Sequence, residues 1–216
     1  MVSSNYNIGK AEMKKTETCG AIILAGGKSE RMRLNKALLP LRRHTIIEEI
    51  ILSLRDLFAE ILISASTPGI YEFLGRRVIC DENQEMGPLA AIHTSLKAAS
   101  TESNFVIACD IPDVRIPLIE SLLSRSRDCS IVVPRHADEK YEPLFAVYNR
   151  SVLPAIEEQI QSGDLKIASL YAKCPTAYIE IGENCRFSNL NTLQDYREFL
   201  RARPERFPCP RIGNRP

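Results

Sequence analysis

Short apolar runs alternate with amphipathic stretches along this chain. Cys19–Leu24 (CGAIIL) is a continuous apolar run, as in a strand covered on both faces, and Ile61–Ala65 (ILISA), Arg77–Asp81 (RVICD) and Phe105–Asp110 (FVIACD) read as a second, third and fourth strand. Ser130–Pro134 and Tyr178–Ile181 read as further strands, and Tyr141–Tyr148 as an extended segment. Ile46, Ile47, Ile50, Ile51, Leu54, Leu57 and Phe58 recur at three- and four-residue spacing, which predicts an amphipathic helix. Gly87–Ala99, Ile116–Arg127 and Val152–Gln161 predict three more. A last helix starts at Thr192, whose hydroxyl and the Asp195 carboxylate three positions on form a capping pair. Strands alternating with helices imply βαβ units and an open, mainly parallel sheet with helices on both faces.

The ends lack this pattern. Residues 1–17 read as a solvated, flexible leader, and residues 204–216, with four prolines, as an irregular tail. A single α/β domain is expected over residues 18–203. Charge excludes some classes of function. With 28 Lys+Arg against 27 Asp+Glu there is no basic field to wrap a nucleic acid, and 6% aromatics without Trp give no base-stacking platform. The seven cysteines are scattered, with no C-x-x-C pair and three histidines in all, so a zinc site has no support. His93, on a helical stretch, is read as structural. No run reaches the roughly 20 apolar residues of a membrane span, and a reducing cytoplasm is the expected compartment.

Ligands of open α/β sheets gather outside the carboxyl ends of the strands, and three motifs fall there. The first, Leu24-Ala25-Gly26-Gly27-Lys28-Ser29-Glu30-Arg31-Met32, runs off the first strand. Paired glycines let a backbone approach a ligand closely, and successive N–H groups can cradle phosphate. Residues 28–43 hold six cations (Lys28, Arg31, Arg33, Lys36, Arg42, Arg43) and one anion, Glu30, which suits a polyphosphate. An isolated Gly-Gly can equally just end a strand, and this one is neither G-x-G-x-x-G nor a P-loop. The second motif is Cys109-Asp110-Ile111-Pro112. A strand-end carboxylate suits a hard divalent cation such as Mg²⁺, although Asp before a turn is also an ordinary capping residue. The third is Asp81 with Gly87-Pro88-Leu89. Its carboxylate could accept from two adjacent N–H donors, such as those of guanine, and Pro88 suits the first turn of a helix.

In this order the motifs resemble the molybdenum cofactor guanylyltransferase (MobA) family, within the Rossmann-like nucleotidyltransferases. The resemblance spans about residues 19–200. It rests on LAGGKSERM with Lys36-Ala37-Leu38-Leu39-Pro40-Leu41, Asp81 with GPLAA, Ala108-Cys109-Asp110-Ile111-Pro112, Glu142-Pro143-Leu144 before a strand ending in Tyr148, and Asn189-Leu190-Asn191-Thr192. It implies a three-layer α/β/α sandwich. It also implies that Leu24, Ala25, Gly26 and Gly27 contact the nucleotide and that Arg31 and Lys36 contact the triphosphate. Ser64 and Asp81 would help recognise guanine, beside Gly87, Pro88 and Leu89. Asp110 would hold Mg²⁺, and Asn189 and Asn191 would lie towards the pterin. The chain departs from the family's pattern at Arg33 and Ala91, where glycine is usual, at Asn35, where Asp is usual, and at Thr192-Leu193, where Thr-Pro is common.

The activity implied is transfer of GMP from GTP to the terminal phosphate of molybdopterin or the molybdenum cofactor, with release of pyrophosphate. Two anions must meet, so charge neutralisation and alignment would carry catalysis, with Lys36, Arg31 and Asp110 as the catalytic groups. A molybdoenzyme or a cofactor-delivery protein is an implied partner, nucleic acid and membrane are not. Two other readings stay open: the same chemistry with CTP or another phosphate acceptor, and a nucleotide-binding homologue without catalysis.

Overall fold

The computed structural model describes residues 16–26, 35–41, 43–80, 86–182, 187 and 189–202. The leader to residue 15 and the tail from residue 203 lie outside them, as do Gly27, Arg31 and Asp81. Nine strands occur in the described residues: β1 (Thr16–Leu24), β2 (Pro40–Leu41), β3 (His44–Thr45), β4 (Phe58–Ala65), β5 (Arg77–Cys80), β6 (Ser103–Ala108), β7 (Ile131–His136), β8 (Phe145–Asn149) and β9 (Thr176–Ile181). Seven of them form one sheet in the order β5-β4-β1-β6-β8-β7-β9, and β2 and β3 pair as a separate hairpin. Within the large sheet only β8 runs against its neighbours, so the sheet is mainly parallel.

Among the described residues five α-helices cover the sheet: α1 (Ile46–Leu54), α2 (Gly87–Ala98), α3 (Ile116–Arg125), α4 (Leu153–Gln161) and α5 (Leu193–Ala202). Strand alternation divides the interior into two cores. Ala21 and Ile23 of β1, Phe105 and Ile107 of β6, and Phe145 and Val147 of β8 face α1, α3 and Phe199 of α5. Ile22 and Leu24, Val106, and Ala146 and Tyr148 face α2 and α4. The result is a three-layer α/β/α sandwich. At Gly20, in the middle of the sheet, an added Cβ would stand 2.4 Å from Thr101 Oγ1 and 2.6 Å from Asn104 Oδ1. Only glycine fits beside that buried Thr101–Asn104 hydrogen bond.

Several boundaries differ from the sequence pattern. The apolar spacing from Ile46 to Phe58 is one helix only as far as Leu54. Leu57 N–H then closes a turn onto the Leu54 carbonyl, and Phe58 begins β4, where its ring stacks on Phe105 at 5.8 Å. A helical spacing thus continued by chance into a strand, and aromatic packing decided the break. The extended segment 141–148 is a bridge at Tyr141, a turn closed by Phe145 N–H on the Glu142 carbonyl, and then β8. The first strand starts at Thr16, three residues before its apolar run. Two 3-10 helices, Pro68–Leu74 and Ile167–Ala172, had no signal in the apolar spacing. Thr192 and Asp195 cap α5 reciprocally: Thr192 N–H donates to Asp195 Oδ2 at 2.7 Å and Asp195 N–H to Thr192 Oγ1 at 3.1 Å. His93 pairs with Glu157 at 3.0 Å between α2 and α4. Among the described residues no helix is long and apolar enough to cross a membrane.

Candidate active site

The site is assembled where β1, β4 and β6 end. Leu24 is in register with Ser64 of β4 and with Ala108 of β6. Beyond these pairs the ladder continues for one more bond on each side. Ala25 N–H donates to the Ser64 carbonyl at 2.8 Å, and Cys109 N–H donates to the Leu24 carbonyl at 3.0 Å. Gly26 and Asp110 therefore leave adjacent strands at the same edge. Gly26 does not have a positive φ. An added Cβ there would meet Ser66 N at 3.6 Å and Ala65 Cα at 3.7 Å, ordinary contact distances. The protein's own packing does not demand glycine at this position.

Asp110 is braced from two sides. Its carbonyl accepts from Leu190 N–H at 2.8 Å, which draws Asn189-Leu190-Asn191 against the strand end. Leu190 is buried, and Asn189 and Asn191 are exposed on either side of it. On the other flank Ala108 N–H donates to the Leu144 carbonyl at 3.0 Å, and the buried Tyr148 hydroxyl donates to the Pro143 carbonyl at 2.8 Å. The Glu142-Pro143-Leu144 motif thus supports the neighbouring strand end.

Lys36 opens a short 3-10 helix, Lys36–Leu38, capped by Asn35, whose Oδ1 accepts from Ala37 N–H at 3.1 Å. Ala37 is fully buried and fixes the turn on the α1 side of the sheet. Burial pushes the Asp110 carboxyl above the usual carboxylate range, and the Lys36 charge pulls it back. The same burial, with Asp110 adding to it, raises the Cys109 thiol to about 12, again against Lys36. Asp195, at the start of α5, is held low mainly by its bonds to Thr192, with Lys36 contributing. Lys36 and Asp110 therefore occupy one electrostatic neighbourhood. A half-buried strand-end carboxylate with one ammonium nearby is a suitable oxygen ligand for a hard divalent cation. Among the described residues no group of three or more His, Cys, Asp or Glu gathers, at Asp110 or elsewhere.

The remaining candidates contribute differently. Leu24, Ser64 and Leu89 are 5%, 1% and 0% exposed, so they can offer a ligand little more than backbone groups. Ser66, whose backbone nitrogen lies beside Gly26, is a half-exposed residue at that edge, and the sequence pattern had not singled it out. Gly87 has φ of +68°, a conformation that favours glycine, and Pro88 follows it in the first turn of α2. The Ala91 methyl lies in the core on the α2 side, with Ile22 and Leu62. Two tyrosines without a sequence signal also tie the site together. Tyr196 of α5 donates to the Pro40 carbonyl, and the buried Tyr71 hydroxyl reaches both Ala25 and Asn35.

Comparison with known proteins identifies the family. Residues 21–177 match the model of the MobA-like NTP transferase domain. Proteins of Flavobacterium johnsoniae and Carboxydothermus hydrogenoformans, both named "Probable molybdenum cofactor guanylyltransferase", are 33% and 36% identical. Each alignment covers 83% of this chain, and 95% and 93% of the respective relative. The crystal structure of molybdopterin-guanine dinucleotide biosynthesis protein A from Archaeoglobus fulgidus superposes with a TM-score of 0.70 at 24% identity, over 85% of this chain and 97% of that one. On this match the chain belongs to the MobA-like NTP transferase family of nucleotidyltransferases.

Proposed function

We propose that this enzyme transfers GMP from GTP to the terminal phosphate of molybdopterin or its molybdenum-loaded form, releasing pyrophosphate. One observation carries the reading: Lys36 and Asp110 share an electrostatic neighbourhood at the sheet edge where Gly26 leaves β1. The names of the relatives supply the nucleotide and the acceptor.

In the reaction an acceptor phosphate oxygen bonds to the α-phosphorus of GTP as the bond from that phosphorus to the β-phosphate bridging oxygen breaks. The attacking phosphate is already ionised, so no strong general base is required. The chain's task is to bring two polyanions together and to hold them in line. Gly26, which the packing leaves free to carry a side chain, keeps its backbone bare for close approach of the nucleotide. Arg31 and Lys36 neutralise charge on the departing pyrophosphate. Gly87 and Pro88, with Asp81, flank the base, and Asn189 and Asn191 face the pterin. Asp110 would hold Mg²⁺, which when bound withdraws charge from phosphate oxygens. The enzyme acts in the reducing cytoplasm and passes its product to a molybdoenzyme or a delivery protein.

The test is pyrophosphate release with molybdopterin across GTP, CTP, ATP and UTP, each with and without Mg²⁺. Release with GTP that depends on Mg²⁺ is expected. Release with CTP in its place would reassign the nucleotide, and binding without release would make the chain a non-catalytic homologue.

A further inference from the structure

Tyr71 is buried where its apolar neighbours are not. It lies in the 3-10 helix Pro68–Leu74 and is 1% exposed, whereas Ile70 and Phe73 are 42% and 62% exposed. Three residues make one turn of such a helix, so Ile70 and Phe73 share a face, and Tyr71 and Leu74 share another. The segment thus turns two large apolar side chains outward and a phenol inward. Burial of apolar area alone would favour the reverse arrangement. The hydroxyl accounts for the choice.

That hydroxyl lies 3.1 Å from the Ala25 carbonyl, 2.8 Å from Asn35 Nδ2 and 3.1 Å from Asn35 Oδ1. It has one proton to give, and Asn35 Oδ1 already accepts from Ala37 N–H. One assignment satisfies every group: Asn35 Nδ2 donates to the Tyr71 oxygen, and Tyr71 donates to the Ala25 carbonyl. A continuous chain of hydrogen bonds then runs from the residue before Gly26 to the cap of the turn that carries Lys36.

We infer that Tyr71, acting through Ala25 and Asn35, is a positioning residue that holds Lys36 in register with the Ala25–Gly26 backbone so that both address one polyphosphate. This rests on the nucleotidyl-transfer reading above. It also gives Asn35, which stands where the family's pattern has Asp, a reason. A carboxylate there could only accept, so it would draw the Tyr71 hydrogen bond to itself and leave the Ala25 carbonyl without a donor. The amide supplies a proton and lets Tyr71 pass its own onward.

Two variants test the inference. Tyr71→Phe keeps the ring and deletes the hydroxyl. Asn35→Ser keeps a cap for Ala37 but is too short to reach Tyr71, and because Asn35 is exposed it decides the matter if Tyr71→Phe fails to fold. Each is compared with the wild type for kcat and KM in pyrophosphate release, and for affinity towards Mg²⁺ with GTP, GMP or pyrophosphate. We expect kcat to fall about tenfold in each variant. GTP and pyrophosphate should bind several-fold more weakly, GMP should bind unchanged, and the double variant should be no worse than either single one. A lowered melting temperature with kcat and the GTP-to-GMP affinity ratio unaltered would overturn the inference. A wild type that binds pyrophosphate but releases none from GTP and molybdopterin overturns the proposed function instead, and the variants' pyrophosphate affinity then decides this inference. A wild type that binds no pyrophosphate overturns both.

Discussion

The amide of Cys109 donates to the carbonyl of Leu24 at 3.0 Å, one residue beyond the last paired positions of β1 and β6. That bond carries the parallel ladder past the strand ends, so Gly26 and Asp110 leave a hydrogen-bonded sheet edge. The neighbouring Ala25–Ser64 bond does the same towards β4. A site that aligns two repelling reactants benefits from such a base, because misplacement costs rate directly.

Asp110→Asn should abolish metal-dependent transfer, lowering turnover at least about hundredfold, with the fold retained. Loss of a metal-holding oxygen is the cause, since the amide keeps the shape. The same change should raise the melting temperature of the nucleotide-free enzyme in chelator. Burial disfavours the ionised carboxyl there, and Lys36 only partly offsets it. Turnover assays and thermal melts of both proteins check the two halves. Unaltered turnover would remove Asp110 from the mechanism.

Lys36→Ala should reduce kcat about hundredfold even at saturating GTP, with a smaller rise in KM. The ammonium's proposed work is on charge that builds as pyrophosphate departs, so excess substrate does not restore it. Its removal leaves the Asn35 cap of the turn and buried Ala37 in place, and the variant should melt close to the wild type. Steady-state kinetics over a GTP series separates this from a binding role, in which kcat would be kept.

Asn191→Ala should raise KM for molybdopterin about tenfold and change KM for GTP little. Asn191 is exposed, and its backbone N–H, which alanine keeps, donates to Asp195 Oδ2 at 2.9 Å. The segment stays anchored by Leu190 N–H on the Asp110 carbonyl. Kinetics with each substrate varied in turn is the measurement. Equal shifts in both constants would argue against a pterin-facing role.

What the sequence could disclose was set by range. The continuous runs CGAIIL and FVIACD mark buried parallel strands because both faces of each are covered, and register then brings Leu24 beside Ala108. The Thr192–Asp195 cap was legible because it is local, and the observed bonds match it. Phe58 misled, since helical spacing ran on into a strand whose identity depends on stacking against Phe105, 47 residues away. Tyr71 was invisible for the same reason: its partners Ala25 and Asn35 are 46 and 36 positions off, and PGIYEFLG has neither period. Ser64 was chosen because it stands where the family often has Asn at a strand end; it lies inside β4, where both faces are covered, whereas Ser66 lies just beyond the strand's last residue and is half-exposed.

A last prediction concerns how the lysine segment is tied down at its far end. Leu39 accepts from Ile46 N–H at 3.0 Å, so the start of α1 anchors the residues that follow Lys36. That start is a capping box: Thr45 N–H donates to Glu48 Oε2 at 2.7 Å, and Glu48 N–H reaches Thr45 Oγ1. The Thr45 backbone and side-chain donors hold the Glu48 carboxyl below its ordinary value of 4.5. A carboxyl whose folded pKa is depressed adds stability that is complete above the unfolded value and lost as pH falls through the folded one. Glu48→Gln retains an acceptor but not the charge, so at pH 7 it should be less stable by about 0.5 kcal/mol. The gap should shrink as pH drops below the ordinary value of 4.5 and close once Glu48 is protonated in both states. Urea unfolding of the two proteins at several pH values measures it. A gap that stays constant with pH would show that packing of the side chain, and not its charge, holds the start of the helix.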